Sequence, residues 1–208
     1  MSMPSALPID LVVEGPLDEA VLRVLIARAG GRAGRVYGLR GKSDVERRIS
    51  GVCAASALSP WVILLDLDRN AYCAADYLRQ LVGDRPTGTL CIRVAVRAIE
   101  AWLLADAERL AGILSVSQDL LPSDPDKVLD PKRVLVQIAT RSPDRSTRDD
   151  MVPSAQGGRT QGPGYNNVLI GFVKAARNGW RPHIARRRSA SLDSCMKCLA
   201  RLIRSGQQ

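Results

Sequence analysis

Histidine is almost missing from this chain: His183 stands alone in 208 residues. Histidine-based triads and multi-histidine metal sites are therefore excluded, and any hydrolytic chemistry falls to carboxylates and a hard metal ion. Aromatics are scarce, with a single phenylalanine, so aliphatic side chains must do most of the packing in the one core that a chain of this length can bury. There is no apolar run near the roughly 20 residues that span a bilayer. The N-terminus MSMPSALPID lacks the basic start and long apolar stretch of a signal peptide, so a cytoplasmic, membrane-free protein is expected. The five cysteines, 53, 73, 91, 195 and 198, are odd in number and scattered, which suits reduced thiols rather than a disulfide framework. Cys195 and Cys198 form a C-x-x-C. With no second pair and one distant histidine, it reads as two small residues of a helix rather than a zinc site.

Acidic residues are scarce where basic ones gather. The net charge is +9, and residues 171–208 hold nine Lys and Arg against Asp193 alone, so the excess belongs almost wholly to the C-terminal segment. A local excess of this kind suits a surface that attracts phosphate. The run Arg186-Arg187-Arg188 packs three guanidinium groups whose forked donors match phosphate oxygens in pairs, so nucleic acid is the expected partner.

What is present is an alternation of strand and helix. IDLVVEG (9–15) is a short β-branched run closed by Glu-Gly, and LDEAVLRVLIARAGG (17–31) has apolar residues at helical spacing, with Asp18 placed to cap it. GRVYGL (34–39) reads as a second strand. SDVERRISGVCAASAL (43–58) reads as a helix with Ser43 as cap and Glu46 at the capping-box position. WVILLDLD (61–68) is a continuous apolar run of the kind buried on both faces of a parallel sheet, followed by a helix over AADYLRQLVG. TLCIRVAV (89–96) is a fourth strand leading into one helix, AIEAWLLADAERLAGIL. This pattern predicts an α/β fold, a parallel sheet with helices on both faces, over residues 1–115. Residues 116–208 read as a helical extension packed on that core. It holds a short helix near 131–139, a long Gly/Pro-rich loop over 140–167, and two final helices over 168–180 and 189–204.

In parallel sheets, ligands bind beyond the carboxyl ends of the strands. Glu14 ends the first strand and Asp66 the third, so their carboxylates are expected on one edge, with Asp68 two residues on. Adjacent strands lie roughly 4.8 Å apart, close enough for such acids to share an ion. Magnesium, or manganese in its place, suits one or two carboxylates with water and phosphate oxygens in the remaining positions. The alternative is that Asp66 and Asp68 form a polar turn and cap the next helix. Glu100 is a third acid facing the same edge, or else a helix-surface residue. Arg97, at i, i+3 from Glu100, pairs with it or meets a phosphate, and Lys42 is a further cation within reach or else a solvated loop lysine.

The combination of Glu14 in VVEGPLDEAVL with Asp66 and Asp68 in ILLDLDRN resembles the Toprim domain of topoisomerases, primases and related nucleases, over roughly residues 9–115. More narrowly, VEGPLDEAVL, DLDRNAYC, IRVAVRAIEAWLLADAERLA, DPKRVLVQIATRS, GPGYNN and RRRSASL look like a small bacterial Toprim-like family, of largely unassigned biochemistry, encoded in defence and mobile islands. The resemblance implies that Glu14, Asp66 and Asp68 bind magnesium and act on phosphodiester bonds. The chain departs from the pattern in having Arg69, Asn70 and Ala71 where many Toprim domains place a glycine. Glu100 is then similar to the additional acid of Toprim-bearing nucleases of the overcoming-lysogenisation-defect type.

The expected function is thus a magnesium-dependent nuclease, a defence effector, with Glu14, Asp66, Asp68 and Glu100 catalytic and Arg186, Arg187, Arg188, Arg97 and Lys42 on the nucleic acid. Glu14 holds metal or serves as general acid/base. The alternative is a non-catalytic nucleic-acid-binding subunit that works with an ATPase encoded nearby. A nucleotide-binding switch built on GLRGKSD (38–44) fails on spacing, because only Leu39 and Arg40 separate Gly38 from Gly41 where a phosphate loop needs four residues.

Overall fold

A computed structural model describes residues 7–67, 73–85, 89–154 and 158–205. The chain separates into two compact units, one of Met1–Val94 with Asp193–Gln208 and one of Ala95–Leu192. The fold is α/β, with a four-stranded, all-parallel sheet in the order β2-β1-β3-β4 flanked by helices.

The strands are β1 (Ile9–Val13), β2 (Ala33–Gly38), β3 (Trp61–Asp66) and β4 (Leu90–Ala95). Their order explains their composition. β1 and β3 are interior strands, and the side chains of Leu11 to Val13 and of Val62 to Leu65 are all buried, so both faces of each strand must be apolar. β1 pairs with β3 through Leu11 opposite Val62 and Val12 opposite Ile63, and with β2 through Leu11 opposite Val36 and Val13 opposite Gly38. β2, at one end of this order, is only half-buried and carries Arg35 and Tyr37.

Three helices follow strands directly in this unit: α1 (Pro16–Arg28), α2 (Lys42–Ala55) and α3 (Ala74–Val82). Pro16 opens α1, where a missing N–H costs nothing, and the Asp18 carboxylate accepts from the Gly15 N–H at 2.8 Å, as the sequence leads one to expect. Val21, Leu22, Leu25 and Ile26 give α1 its buried face. The start of α2 differs from expectation: Gly41 is its N-cap, and Ser43 lies inside the first turn. Gly41 has φ +82°, a left-handed conformation open to glycine, which lets the chain turn sharply from β2 into the helix. With Gly41 as N-cap, Glu46 lies beyond the capping-box position, and its carboxylate accepts from the Tyr77 hydroxyl at 2.7 Å.

The second unit is helical. The single helix expected after β4 is two, α4 (Ile99–Leu104) and α5 (Ala107–Ile113). The break falls at Asp106, which is buried and takes Arg181: the Arg181 backbone N–H and Nε donate to Oδ2 at 2.8 and 3.1 Å, and Nη2 donates to Oδ1 at 2.6 Å. α6 (Pro131–Ala139) begins on the Asp130 carboxylate, which accepts from the Arg133 N–H at 3.0 Å. Within the segment expected as loop lies α7 (Arg145–Met151), capped by Asp144. Then come α8 (Tyr165–Lys174), α9 (Pro182–Ala185) and α10 (Ala190–Ser205), whose first three residues belong to this unit. Trp102, Tyr165, Phe172 and Trp180 are buried at its centre, and Trp180 Nε1 donates to the Trp102 carbonyl at 3.2 Å. Among the described residues no helix is long and apolar enough to cross a membrane.

Candidate functional site at the carboxyl edge of the sheet

The strand order places a reversal between β1 and β3: the chain leaves β1 for β2 on one side and β3 for β4 on the other. In open parallel sheets this switch point opens a crevice beyond the carboxyl ends of the two strands, because the following connections diverge. Glu14 directly follows β1, and Asp66 is the last residue of β3. The structure brings them together, with the Asp66 backbone N–H donating to Glu14 Oε1 at 2.8 Å. Asp66 is buried and Glu14 half-buried.

The turn from β2 to α2 closes round the same point. The Leu39 N–H donates to the Val13 carbonyl at 2.9 Å and the Gly41 N–H to the Glu14 carbonyl at 3.0 Å. At Gly38, φ is +92° and a Cβ would lie 2.3 Å from the Val13 carbonyl oxygen, so only glycine permits this approach. The turn delivers Lys42, the first residue of α2, whose Nζ donates to the Asp66 carbonyl at 3.3 Å and lies 4.5 Å from the centre of the Tyr77 ring. Tyr77 is held in turn by Glu46. Lys42 thus stands at the acidic edge, beside Tyr77, which the sequence did not single out, and Glu46, which it offered only as a helix cap. α1 and α2 both begin at this edge, turning the positive ends of their dipoles toward it.

Asp68 lies outside the described residues. Among those described, no group of three or more His, Cys, Asp or Glu side chains stands ready to hold a metal ion. Glu14 and Asp66 form a pair of hard oxygen donors, which fits an ion that takes one or two carboxylates and completes its shell with water and phosphate.

The other expected site residues lie in the second unit. Glu100 is buried in the first turn of α4, and its Oε1 accepts from the Tyr165 hydroxyl at 3.2 Å. Arg97 precedes α4, whose N-cap is Ala98, so the i, i+3 helical relation to Glu100 does not apply. The three arginines differ in their surroundings. Arg188 Nη2 donates to the carbonyls of Pro122 and Ser123 at 2.6 and 3.0 Å, whereas Arg187 is exposed and Arg186 half-buried. Arg188 therefore ties its own unit together.

Comparison with known protein families, with curated proteins and with solved structures finds no match to this chain.

Proposed function

We propose that the protein is a magnesium- or manganese-dependent phosphodiesterase acting on nucleic acid, with its reactive centre at Glu14 and Asp66. The observation that carries this reading is the seating of two carboxylates from neighbouring interior strands at the switch point, joined by the 2.8 Å contact from the Asp66 N–H to Glu14. Asp68, two residues beyond Asp66, completes the ligand set in this reading. Magnesium at such a pair would supply charge neutralisation at the phosphate and activation of the attacking water.

The protein's own groups divide the remaining work. The backbone bond to Asp66 fixes the Glu14 carboxyl in orientation, so that it receives a proton or a ligand at a set position. Lys42, restrained by Tyr77 and by the Asp66 carbonyl, supplies a cation beside the two acids and orients a phosphate oxygen. The beginnings of α1 and α2 add positive potential at the same edge. Arg187, exposed on the basic C-terminal segment, contributes to holding the polyanion without reading its sequence.

The test is cleavage of supercoiled plasmid and of single-stranded RNA by the purified chain, with magnesium, with manganese and with chelator, alongside Glu14→Gln and Asp66→Ala. Metal-dependent cleavage lost in both variants supports the reading. Wild-type cleavage that survives either change overturns it.

A further inference from the structure

β4 ends the sheet on its side, and among the described residues no strand pairs with its outer edge. The Trp61 N–H donates to the Thr89 carbonyl at 2.9 Å, so the planar peptide group joining Thr89 to Leu90 turns its own N–H away from β3. Backbone groups alternate along a strand, and those of Ile92 therefore face outward with those of Leu90. A row of outward backbone groups is a template for another extended chain.

An open groove of about 500 Å³ lies between β4 and the C-terminal half of α10. Leu90 and Ile92 line it from one face of the strand and Arg93 from the other, so the groove follows the edge of the strand rather than either face. Leu202 of α10 extends its apolar wall, and Arg201 adds a second guanidinium.

The charge of this groove has no counterpart. Among the described residues no acid lines it and neither arginine has a carboxylate partner, while Asp193, the one acid of α10, is taken by Lys197 at 2.6 Å. Arg93 Nε is buried with no hydrogen-bond partner, and Nη1 makes a single long bond, 3.3 Å, to the outward carbonyl of Ile92. A half-buried guanidinium so poorly satisfied calls for an acceptor of opposite charge.

We propose that the groove docks an extended acidic peptide of another protein, which adds to β4 as a further strand and sets a carboxylate on Arg93 and Arg201. The incoming strand takes the outward backbone groups of Leu90 and Ile92 and releases Arg93 from the Ile92 carbonyl. Its apolar side chains lie against Leu90, Ile92 and Leu202, and the forked guanidinium donors match its carboxylate in pairs. Nucleic acid would meet the two arginines but has no peptide groups with which to complete a strand edge. A second copy of this chain, docked edge to edge, would bring the same arginines together with no acid between them. Docking here is independent of the chemistry at Glu14 and Asp66.

The experiment selects a phage-displayed library of random heptapeptides on the immobilised full chain, then measures the enriched peptides in solution as fluorescent synthetic copies. Enriched sequences are expected to alternate apolar residues with Asp or Glu. Arg93→Gln and Arg201→Gln are each expected to weaken binding by about tenfold. Arg201 is exposed, so its variant keeps the fold whatever becomes of Arg93→Gln. N-methylation of alternate peptide nitrogens is expected to abolish binding in one register and spare it in the other, as strand addition requires. Bound peptide shields Cys198, which lines the groove, from iodoacetamide and leaves the exposed Cys73 reactive. Selection that yields no acidic peptide, binding unmoved by both arginine changes, or N-methylation without register dependence overturns the proposal. Displacement of the peptide by an equimolar oligonucleotide assigns the groove to nucleic acid, and a dimer that peptide does not dissociate assigns it to a second copy; either result overturns it too.

Discussion

At the scale of single residues, Glu14 has two separable jobs. Its Oε1 satisfies the backbone N–H of a buried strand end, and its charge belongs to the proposed reaction. Glutamine keeps an oxygen acceptor and loses the charge, so Glu14→Gln is expected to melt close to wild type while metal-dependent cleavage falls by about 100-fold or more. Glu14→Ala removes the acceptor too and strands the Asp66 N–H, which costs about 1 kcal/mol in urea unfolding. Equal stability of the two variants would contradict the first job, and equal activity of wild type and Glu14→Gln the second. Asp106 is a different kind of acid. Buried at 1% exposure and gripped by the Arg181 backbone and guanidinium, it holds Arg181 fully charged and stitches the α4–α5 break to the start of α9. Asp106→Ala removes the buried partner and leaves Arg181 only Glu108, whose Oε2 accepts from Nη2 at 2.8 Å at the exposed side, so the variant is expected to lose about 2 kcal/mol in the same measurement. Neither role is separable by sequence, where both residues are acids beside apolar runs.

At the scale of elements, α7 shows how a segment with little apolar content is made to fold. Its Asp144 carboxylate accepts from the Thr147 hydroxyl at 2.8 Å and from the Ser146 hydroxyl and N–H at 2.9 and 3.0 Å. The Thr147 bond, then those from Ser146, hold this carboxyl below its ordinary value. A group depressed on folding stabilises the fold above its unfolded pKa and loses that contribution as pH falls through the folded one. The melting difference between wild type and Asp144→Ala should therefore be constant from neutral pH to about 4 and shrink below it. A difference unchanged at lower pH would show that the charge is irrelevant. The chain after α7 returns so closely that a Cβ on Gly162 would stand 2.3 Å from the Asp150 carbonyl oxygen and 2.6 Å from the Met151 carbonyl carbon. The atoms it would meet are backbone at the end of α7, which cannot swing aside as a side chain can, so Gly162→Ala is expected to cost about 2 kcal/mol by urea unfolding, with no change if the turn is free to open.

At the scale of the whole molecule, the sheet was legible and much of what decorates it was not. The strands could be read because interior strands of a parallel sheet are uninterrupted aliphatic runs, as IDLVV and WVILL are. Glu14 and Asp66 could be placed on one edge because each ends such a run. The α4–α5 break was hidden, since Ala105 and Asp106 continue a helical spacing and only the distant Arg181 ends it. Arg188 read as part of a basic patch because sequence shows its charge and not the carbonyls of Pro122 and Ser123 that take it up. The central claim concerns the edge where β1 and β3 end, and the most direct measurement is manganese uptake by the full chain, followed by electron paramagnetic resonance. The account expects wild type to bind manganese, with Asp66→Asn and Glu14→Gln each weakening it by about tenfold or more while retaining the fold. Binding that is equal in all three proteins, or absent from wild type, would contradict it.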